Sequence, residues 1–288
     1  ENSNYLLLTE RGRYILTIYE RRVRRGDLPF FLRLMRHLAS KGIACPVPVT
    51  GSDGRMLRDL VGKSAAILTF LVGAGQRHPG PEQCYSMGEA LAALHLAGQD
   101  FSGQRPNDFS VTGWTNLLNR IGTRADEVKA GLARSLKTEI DDLVSNWPMR
   151  LPQGIIHADL FPDNIFFKGN KLSGIIDYYF SCYDFYAYEI AICINALCFE
   201  GRNENLSFNV TKAKKFIDGY SSIRKLTEEE KKYLKILCQG AAIRFLLTRV
   251  FDYLNLTKGA LVKIKDPIEY LKRLEFHNSV KNYQDYFF

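Results

Sequence analysis

A chain of 288 residues with 46% hydrophobic and 24% charged residues has ample material for a core, which excludes a disordered tail or a collagen-like fibre. Its net charge of +8, from 39 basic and 31 acidic residues, leaves nucleic acid, anionic lipid or a polyphosphate ligand as candidate partners. The six cysteines (Cys45, Cys84, Cys182, Cys193, Cys198 and Cys238) form no CxxC pair, so reduced thiols in a cytoplasmic protein are expected rather than a disulfide scaffold.

The chain opens on ENSNYLLLT without an initiator Met, so a preceding piece is expected to be missing. The runs NYLLLT and GRYILTIYE flank the turn signal ERG and predict a hairpin. The basic run ERRVRRGD, with Arg21, Arg22, Arg24 and Arg25, reads as a solvated turn. No zinc-finger or helix-turn-helix spacing and no aromatic-basic interleaving accompanies it, so nucleic acid is not expected as a partner. DLPFFLRLMRHLASKG predicts a helix with Asp27 as N-cap, Pro29 in the first turn and Gly42 as the stop. CPVPVT is extended, because proline disfavours helix in the residue before it. GSDGRMLRDLVGKSAAILTFLVG predicts two more strands, with Gly-Asp turn chemistry.

Beyond Gly73 the period changes. In GPEQCYSMGEALAALHLAG the residues Met87, Leu91, Leu94 and His95 keep the spacing of a buried helical stripe. Further helices are expected at about 114–121, 124–146, 185–199, 209–219, 227–254 and 266–275. The most apolar stretch, AYEIAICINALCF, carries Glu189 and Asn195 and is too short to span a bilayer, so no membrane partner is expected. These elements predict an α+β chain: a small strand-rich segment with one helix, residues 1–72, and a larger, mostly helical one, residues 73–288.

Between the helices lies GIIHADLFPDNIFFKGNKLSGIIDYYF, read as strand, loop, strand, Gly-Asn turn and strand. His157, Asp159 and Asn164 meet the pattern H-x-D-x-x-x-x-N of a kinase catalytic loop, and Asp177 ends the following strand where a metal-binding Asp belongs. Phosphoryl transfer needs a group that takes the acceptor hydroxyl's proton, and Asp159 can do so. It also needs Mg²⁺, which favours one or two carboxylates plus phosphate oxygens; Asp177 offers a carboxylate and Asn164 an amide oxygen. His157, set among apolar neighbours, suits bracing the loop. The competing reading makes Asp159 and Asn164 turn-stabilising residues.

HADLFPDNIFF, GIIDYYFSCYDFYAYEIAICINALCF and GAAIRFLLTRVFDYLN, with the opening strands and LPFFLRLMRHLASKGIACPVPV, resemble the bacterial homoserine kinases of the aminoglycoside phosphotransferase and choline kinase superfamily. The resemblance runs over nearly the whole chain. It implies a two-lobed, protein-kinase-like fold, with an antiparallel-sheet N-lobe and a mostly helical C-lobe that carries the catalytic hairpin. It also implies ATP and Mg²⁺ as cofactors and homoserine as the small-molecule substrate, phosphorylated on its hydroxyl. Asp159 would be the catalytic base, with Asn164 and Asp177 as metal ligands. The adenine would meet the backbone at Leu68, Thr69, Phe70 and Leu71.

Several positions depart from the kinase pattern. The slot for the phosphate-holding lysine falls on Thr17, and the first helix offers Pro29 or Phe31 where an acidic partner is expected. ENSNYLLL begins at or just beyond the expected phosphate loop. Tyr183 and Glu189 stand where the family suggests Asn and Asp. For the acceptor carboxylate, Arg244 and Arg249 are candidates, but five helical residues separate them by about 140°, so they do not share one ligand. Arg244 is preferred, with a helix-to-hairpin salt bridge as its alternative. Asp184 either meets the ammonium or caps the next helix. Tyr178, Tyr179 and Tyr183 read as packing rather than as a cation cage. A choline, ethanolamine or aminoglycoside acceptor, or a nucleotide-binding pseudokinase, remain the other readings. A basic chain disfavours a polycation, and the joint retention of Asp159, Asn164 and Asp177 disfavours a pseudokinase.

Overall fold

A computed structural model describes residues 2–20, 23–201, 205–256 and 265–287; Arg21 and Arg22 of the basic run lie outside them. In chain order the elements are β1 (Ser3–Thr9), β2 (Gly12–Ile18), α1 (Leu28–Ser40), β3 (Arg58–Leu60), β4 (Lys63–Thr69), β5 (Ala74–Gly75) and α2 (Pro81–Ala97). Then come α3 (Val111–Ile121), α4 (Leu132–Asn146), β6 (Gln153–Ile156), β7 (Ile165–Lys168), β8 (Lys171–Ile175), β9 (Cys182–Phe185) and α5 (Tyr186–Leu197). The chain continues with β10 (Phe199–Glu200), β11 (Ser207–Phe208), α6 (Val210–Ile223), α7 (Glu228–Leu254) and α8 (Ile268–Ser279). The fold is α+β, and its sheets are small.

Two compact units divide the chain. One holds Glu1–Pro106, Gly154–Asp184 and Phe216–Arg224; the other holds Asn107–Gln153, Phe185–Lys215 and Lys225–Phe288. Compactness therefore groups the hairpin of residues 154–184 with the first sheet, along a line other than a cut between residues 72 and 73.

In the first unit the strands run in the order β1-β2-β4-β3, every neighbouring pair antiparallel. Thr17 on β2 lies opposite Asn4 on β1 and Ala66 on β4. The α1 helix forms because its apolar residues recur at helical spacing, burying Phe31, Leu34 and Leu38 completely. Burial of each such side chain contributes roughly 1.5–3 kcal/mol. Asp27 takes the expected N-cap position, but its side chain makes no capping bond. A 3-10 turn over Arg25–Asp27 places Asp27 in a helical conformation, and its carboxylate instead accepts from Arg105 Nε at 2.9 Å.

The hairpin turn between β3 and β4 uses the Gly-Asp chemistry expected between the strands, Gly62 N–H donating to Asp59 Oδ1 at 2.9 Å. It is Val61–Gly62, with φ of 52° and 78°. Two left-handed residues match the twist of the flanking strands, and this geometry outweighs valine's dislike of positive φ. The α2 stripe is as expected: Met87, Leu91, Leu94 and His95 are all buried.

In the second unit the apolar α5 packs on α7, against which α8 and α3 also lie. The start of α7 is a capping box in which Glu230 N–H donates to Thr227 Oγ1 and Thr227 N–H donates to Glu230 Oε2. Trp147 meets Trp114 and Tyr188 edge-on, and Gly240 leaves them room, since a Cβ there would lie 2.4 Å from the Trp147 ring. The single helix expected over 124–146 is broken. Gly122–Glu127 forms a 3-10 turn, and Gly131 at φ 78° lets the chain turn before α4 starts. Among the described residues no helix is long and apolar enough to cross a membrane.

Candidate active site

The loop after β6 owes its shape to a buried histidine. Asp159 N–H donates to His157 Nδ1 at 3.3 Å, so the ring proton sits on Nε2, which donates to Ile176 O at 2.8 Å. The Tyr178 ring packs edge-on against the imidazole, with centroids 4.7 Å apart. His157 thereby ties the loop bearing Asp159 to the strand end bearing Asp177. Its two ring nitrogens are occupied with backbone groups, the arrangement of a brace.

The two residues on either side of this brace are strained. Ala158 has φ 65°, and Asp177 has φ 65° and ψ 59°. A non-glycine residue in the left-handed region costs about 1–3 kcal/mol and persists only where its surroundings hold it. Here the holding contacts are the His157 bond to the carbonyl just before Asp177 and the amide of Ile176, which donates to Asn164 O at 2.9 Å.

Asn164 closes the 3-10 turn Pro162–Asn164 that follows Asp159. Its amide nitrogen donates to Asp159 O at 2.8 Å and to Asp159 Oδ2 at 3.2 Å. With the nitrogen so engaged, Oδ1 is the amide's acceptor for any further ligand. The β7–β8 hairpin then sets Ile165 opposite Ile175, which returns the chain to Asp177 beside Asn164. Asp159, Asn164 and Asp177, separated by up to 18 positions in sequence, share one corner of the first unit.

The sheet reaches this corner through its third and second strands. Leu68 and Thr69 end β4, and Thr69 is engaged with Val47: its N–H donates to Val47 O, and its hydroxyl accepts from Val47 N–H, both at 2.9 Å. Phe70 and Leu71 lie beyond the strand; the Arg13 guanidinium covers the Phe70 ring at 4.5 Å. Leu71 packs against Gly174 of β8, where a Cβ would come within 2.6 Å of Leu71 Cδ1. The segment Leu68–Leu71 thus runs directly into the hairpin.

Thr17 is buried, and its hydroxyl donates to Asn4 Oδ1 at 2.7 Å. The Tyr179 hydroxyl lies 3.0 Å from that of Tyr19. Burial pushes the Tyr19 phenol up to about 12 and raises Tyr179 well above its usual value, and the charge of Asp177 adds to both. Tyr19 and Tyr179 were passed over in the sequence, Tyr179 as mere packing. Their signal was position: each falls two residues beyond a site residue, Thr17 and Asp177.

The other candidates are held by elements of their own. Asp184 ends the first unit on β9, and the helix after it is capped at Phe185, so Asp184 does not occupy the cap position. Arg244, on α7 of the second unit, is 2% exposed and lies over the rings of Phe109 and Phe245. Arg249 holds α8, donating to Asp266 O and Glu269 Oε2.

Among the described residues no three His, Cys, Asp or Glu side chains gather into a metal cage. A carboxylate and an amide oxygen at one corner nevertheless fit a divalent cation that shares its shell with phosphate and water.

A loop of this form, fed by a β-hairpin and joined to a small antiparallel sheet, defines a kinase-like phosphotransferase fold. Amicoumacin kinase hAmiN in complex with AMP-PNP and Ca²⁺ superposes with a TM-score of 0.76 at 15% identity, over 96% of this chain and 86% of that one. Its likeness speaks to the fold alone. The sequence goes further: the phosphotransferase enzyme family matches residues 1–225, and the chain belongs to it. The homoserine kinase of Mesorhizobium japonicum is 53% identical over 286 residues, 99% of this chain and 88% of that protein. The homoserine kinase of Bradyrhizobium diazoefficiens is 55% identical over 287 residues, 99% and 87% respectively.

Proposed function

We propose that the chain phosphorylates the hydroxyl of L-homoserine with ATP, giving O-phospho-L-homoserine, a step of threonine biosynthesis. The observation that carries this reading is the 53–55% identity to homoserine kinases over 99% of the chain. Mg²⁺ is the assigned metal, since two oxygen ligands from the protein leave room for phosphate and water, and Mg²⁺ keeps both.

The corner's geometry supports the roles proposed for Asp159, Asn164 and Asp177, and the resemblance those of the other residues. Asp159 takes the proton as the acceptor oxygen bonds to the γ-phosphorus and the bond to the β–γ bridging oxygen breaks, releasing ADP. Asn164, bonded to the Asp159 carboxylate, orients that base. Asn164 Oδ1 and the Asp177 carboxylate would hold the metal, which when bound neutralises charge on the triphosphate. Leu68 and Thr69 lead into the adenine-binding backbone at Phe70 and Leu71, and Thr17 stands where kinases place a lysine. By role, residues 1–72 would supply the nucleotide-binding lobe and 73–288 the catalytic and acceptor-binding lobe, a division distinct from that of the two compact units. We also assign Arg244 to the acceptor carboxylate and Asp184 to its ammonium, roles that Arg244→Lys and Asp184→Asn test through KM for homoserine. A cytoplasmic setting agrees with six free, buried cysteines.

An ADP-release assay with homoserine, choline, ethanolamine and an aminoglycoside tests the reading. Turnover with homoserine, lost in Asp159→Ala, is the expected result. Turnover confined to another acceptor, or nucleotide binding without turnover, would overturn it.

A further inference from the structure

Protein kinases pair a lysine on the third strand with a glutamate on the following helix, and activity needs this ion pair as well as the metal-binding aspartate. Neither charge is present here. At the lysine's place Thr17 offers a hydroxyl, and on α1 the Phe31 ring meets Tyr179 edge-on at 5.7 Å. The turn Tyr178–Phe180 that follows Asp177 packs on α1.

Thr17 donates to Asn4 Oδ1 at 2.7 Å, which joins β2 to β1. The Tyr19 and Tyr179 hydroxyls lie 3.0 Å apart, a two-hydroxyl relay that joins the end of β2 to the Asp177 turn. The rings support it: Tyr19 and Tyr179 meet edge-on with centroids 5.2 Å apart.

We propose that Tyr179 is a positioning residue whose hydroxyl relay to Tyr19 holds the Asp177 turn in register with the nucleotide-binding sheet, in a site that lacks the lysine–glutamate ion pair. The argument from geometry is that Asp177 sits in a strained left-handed conformation. His157 fixes the carbonyl on its N-terminal side, and Tyr179 fixes the turn on its C-terminal side. Without the second tether the turn can relax, and the Asp177 carboxylate loses its aim. A neutral relay also spares the burial of two charges, which a site this apolar would penalise.

The inference rests on the assignment of Asp177 to the metal. It is tested with Tyr179→Phe, Tyr19→Phe and the double variant, each of which removes only hydroxyls, alongside Asp177→Ala. Calorimetry gives ATP affinity as a function of Mg²⁺, hydrogen exchange reports the amides of residues 176–181, and steady-state kinetics gives KM for homoserine. Each single variant should raise half-saturating Mg²⁺ by about fivefold, the worth of one buried hydrogen bond. Exchange at 176–181 should quicken, and KM for homoserine should stay within about twofold. The double variant should be no worse than either single one, because both break the same relay.

An unchanged Mg²⁺ titration and exchange rate, an equal rise in both substrates' KM, or multiplying effects in the double variant would overturn the relay. Tyr19→Phe breaks the same bond from the sheet's side, so misfolding of one variant leaves the other decisive. If Asp177→Ala itself keeps the normal Mg²⁺ dependence, the metal assignment fails and takes the inference with it. If Asp177→Ala is impaired while both tyrosine variants are normal, the inference alone fails.

Discussion

His157 in the first unit and His277 in the second are both fully buried, and both ring nitrogens of each are hydrogen-bonded, but to different kinds of partner. His157 bonds two backbone groups, the Ile176 carbonyl and the Asp159 amide, and so shapes two loops while leaving the side chains of Asp159 and Asp177 to other work. His277 bonds only side chains. Its Nδ1 accepts from the Tyr286 hydroxyl at 2.9 Å, and its Nε2 donates to Asn195 Oδ1 at 3.1 Å. Asn195 in turn donates to the carbonyls of Ala191 and Cys238, so α5, α7, α8 and the C-terminal turn are joined in one satisfied network. A buried histidine that holds backbone poises a site, whereas one that closes a ring of side chains locks a core. Strain marks the difference: left-handed residues flank the first and none flanks the second.

The contrast can be broken at four points. The largest effect is expected at the poised end. Asp159→Asn should lower kcat by ~10³-fold or more with ATP affinity within about twofold, because a base acts in the transition state rather than on bound nucleotide. Single-turnover kinetics and calorimetry check both halves, and near-normal kcat would remove Asp159 from the chemistry.

Asn195→Ala attacks the lock. It leaves the His277 Nε2–H without an acceptor and opens a small cavity, for a cost of about 2–4 kcal/mol in urea unfolding. Activity per folded molecule should be unchanged. A loss of kcat with normal stability would mean that the two regions are not separate in role.

The third test uses pH. Burial pushes the His277 imidazole down to about 3 from an ordinary 6.5, so the folded chain keeps it neutral where the unfolded chain binds a proton. Above pH ~6.5 neither state is protonated there and no stability is lost. Below it the unfolded state gains the proton, and stability falls by up to about 1.4 kcal/mol per pH unit until pH ~3. His277→Phe should flatten this share of the slope between pH 6.5 and 4.5, read from urea midpoints. An unaltered slope would place the acid-sensitive group elsewhere.

The smallest effect separates strain with a purpose from strain without one. Val61 is left-handed, like Asp177, but 95% exposed in a two-residue turn. Val61→Gly should raise stability by about 1 kcal/mol, with kcat unchanged, since no buried contact is lost. A fall in activity would show that this turn, too, is tuned.

The helices and the hairpin were legible from spacing because the apolar periods of α1, α2, α5 and α7 are long and uninterrupted. The HADLFPDN loop was legible because its residue types are costly to place among Ile and Phe without a reason. The misreadings share one cause. Asp27 has the chemistry of an N-cap, but Arg105, 78 positions away, claims its carboxylate. Gly131 breaks a pattern that reads as one helix. Tyr179 reads as packing from sequence because the partner of its hydroxyl, Tyr19, lies 160 positions earlier.

What the order of residues determined unaided was the local chemistry: which segments can be helix or strand, and which carboxylates and amides could serve a phosphoryl transfer. Those properties depend on neighbours within a few positions, where period and residue type suffice. The tertiary structure alone decided which polar groups meet. It set Asn164 on Asp159, aimed His157 at two backbone groups, and brought the Tyr19 and Tyr179 hydroxyls together. Hydrogen bonds reach about 3 Å and take no account of separation along the chain, so their pairing emerges only once the sheet and the hairpin have packed.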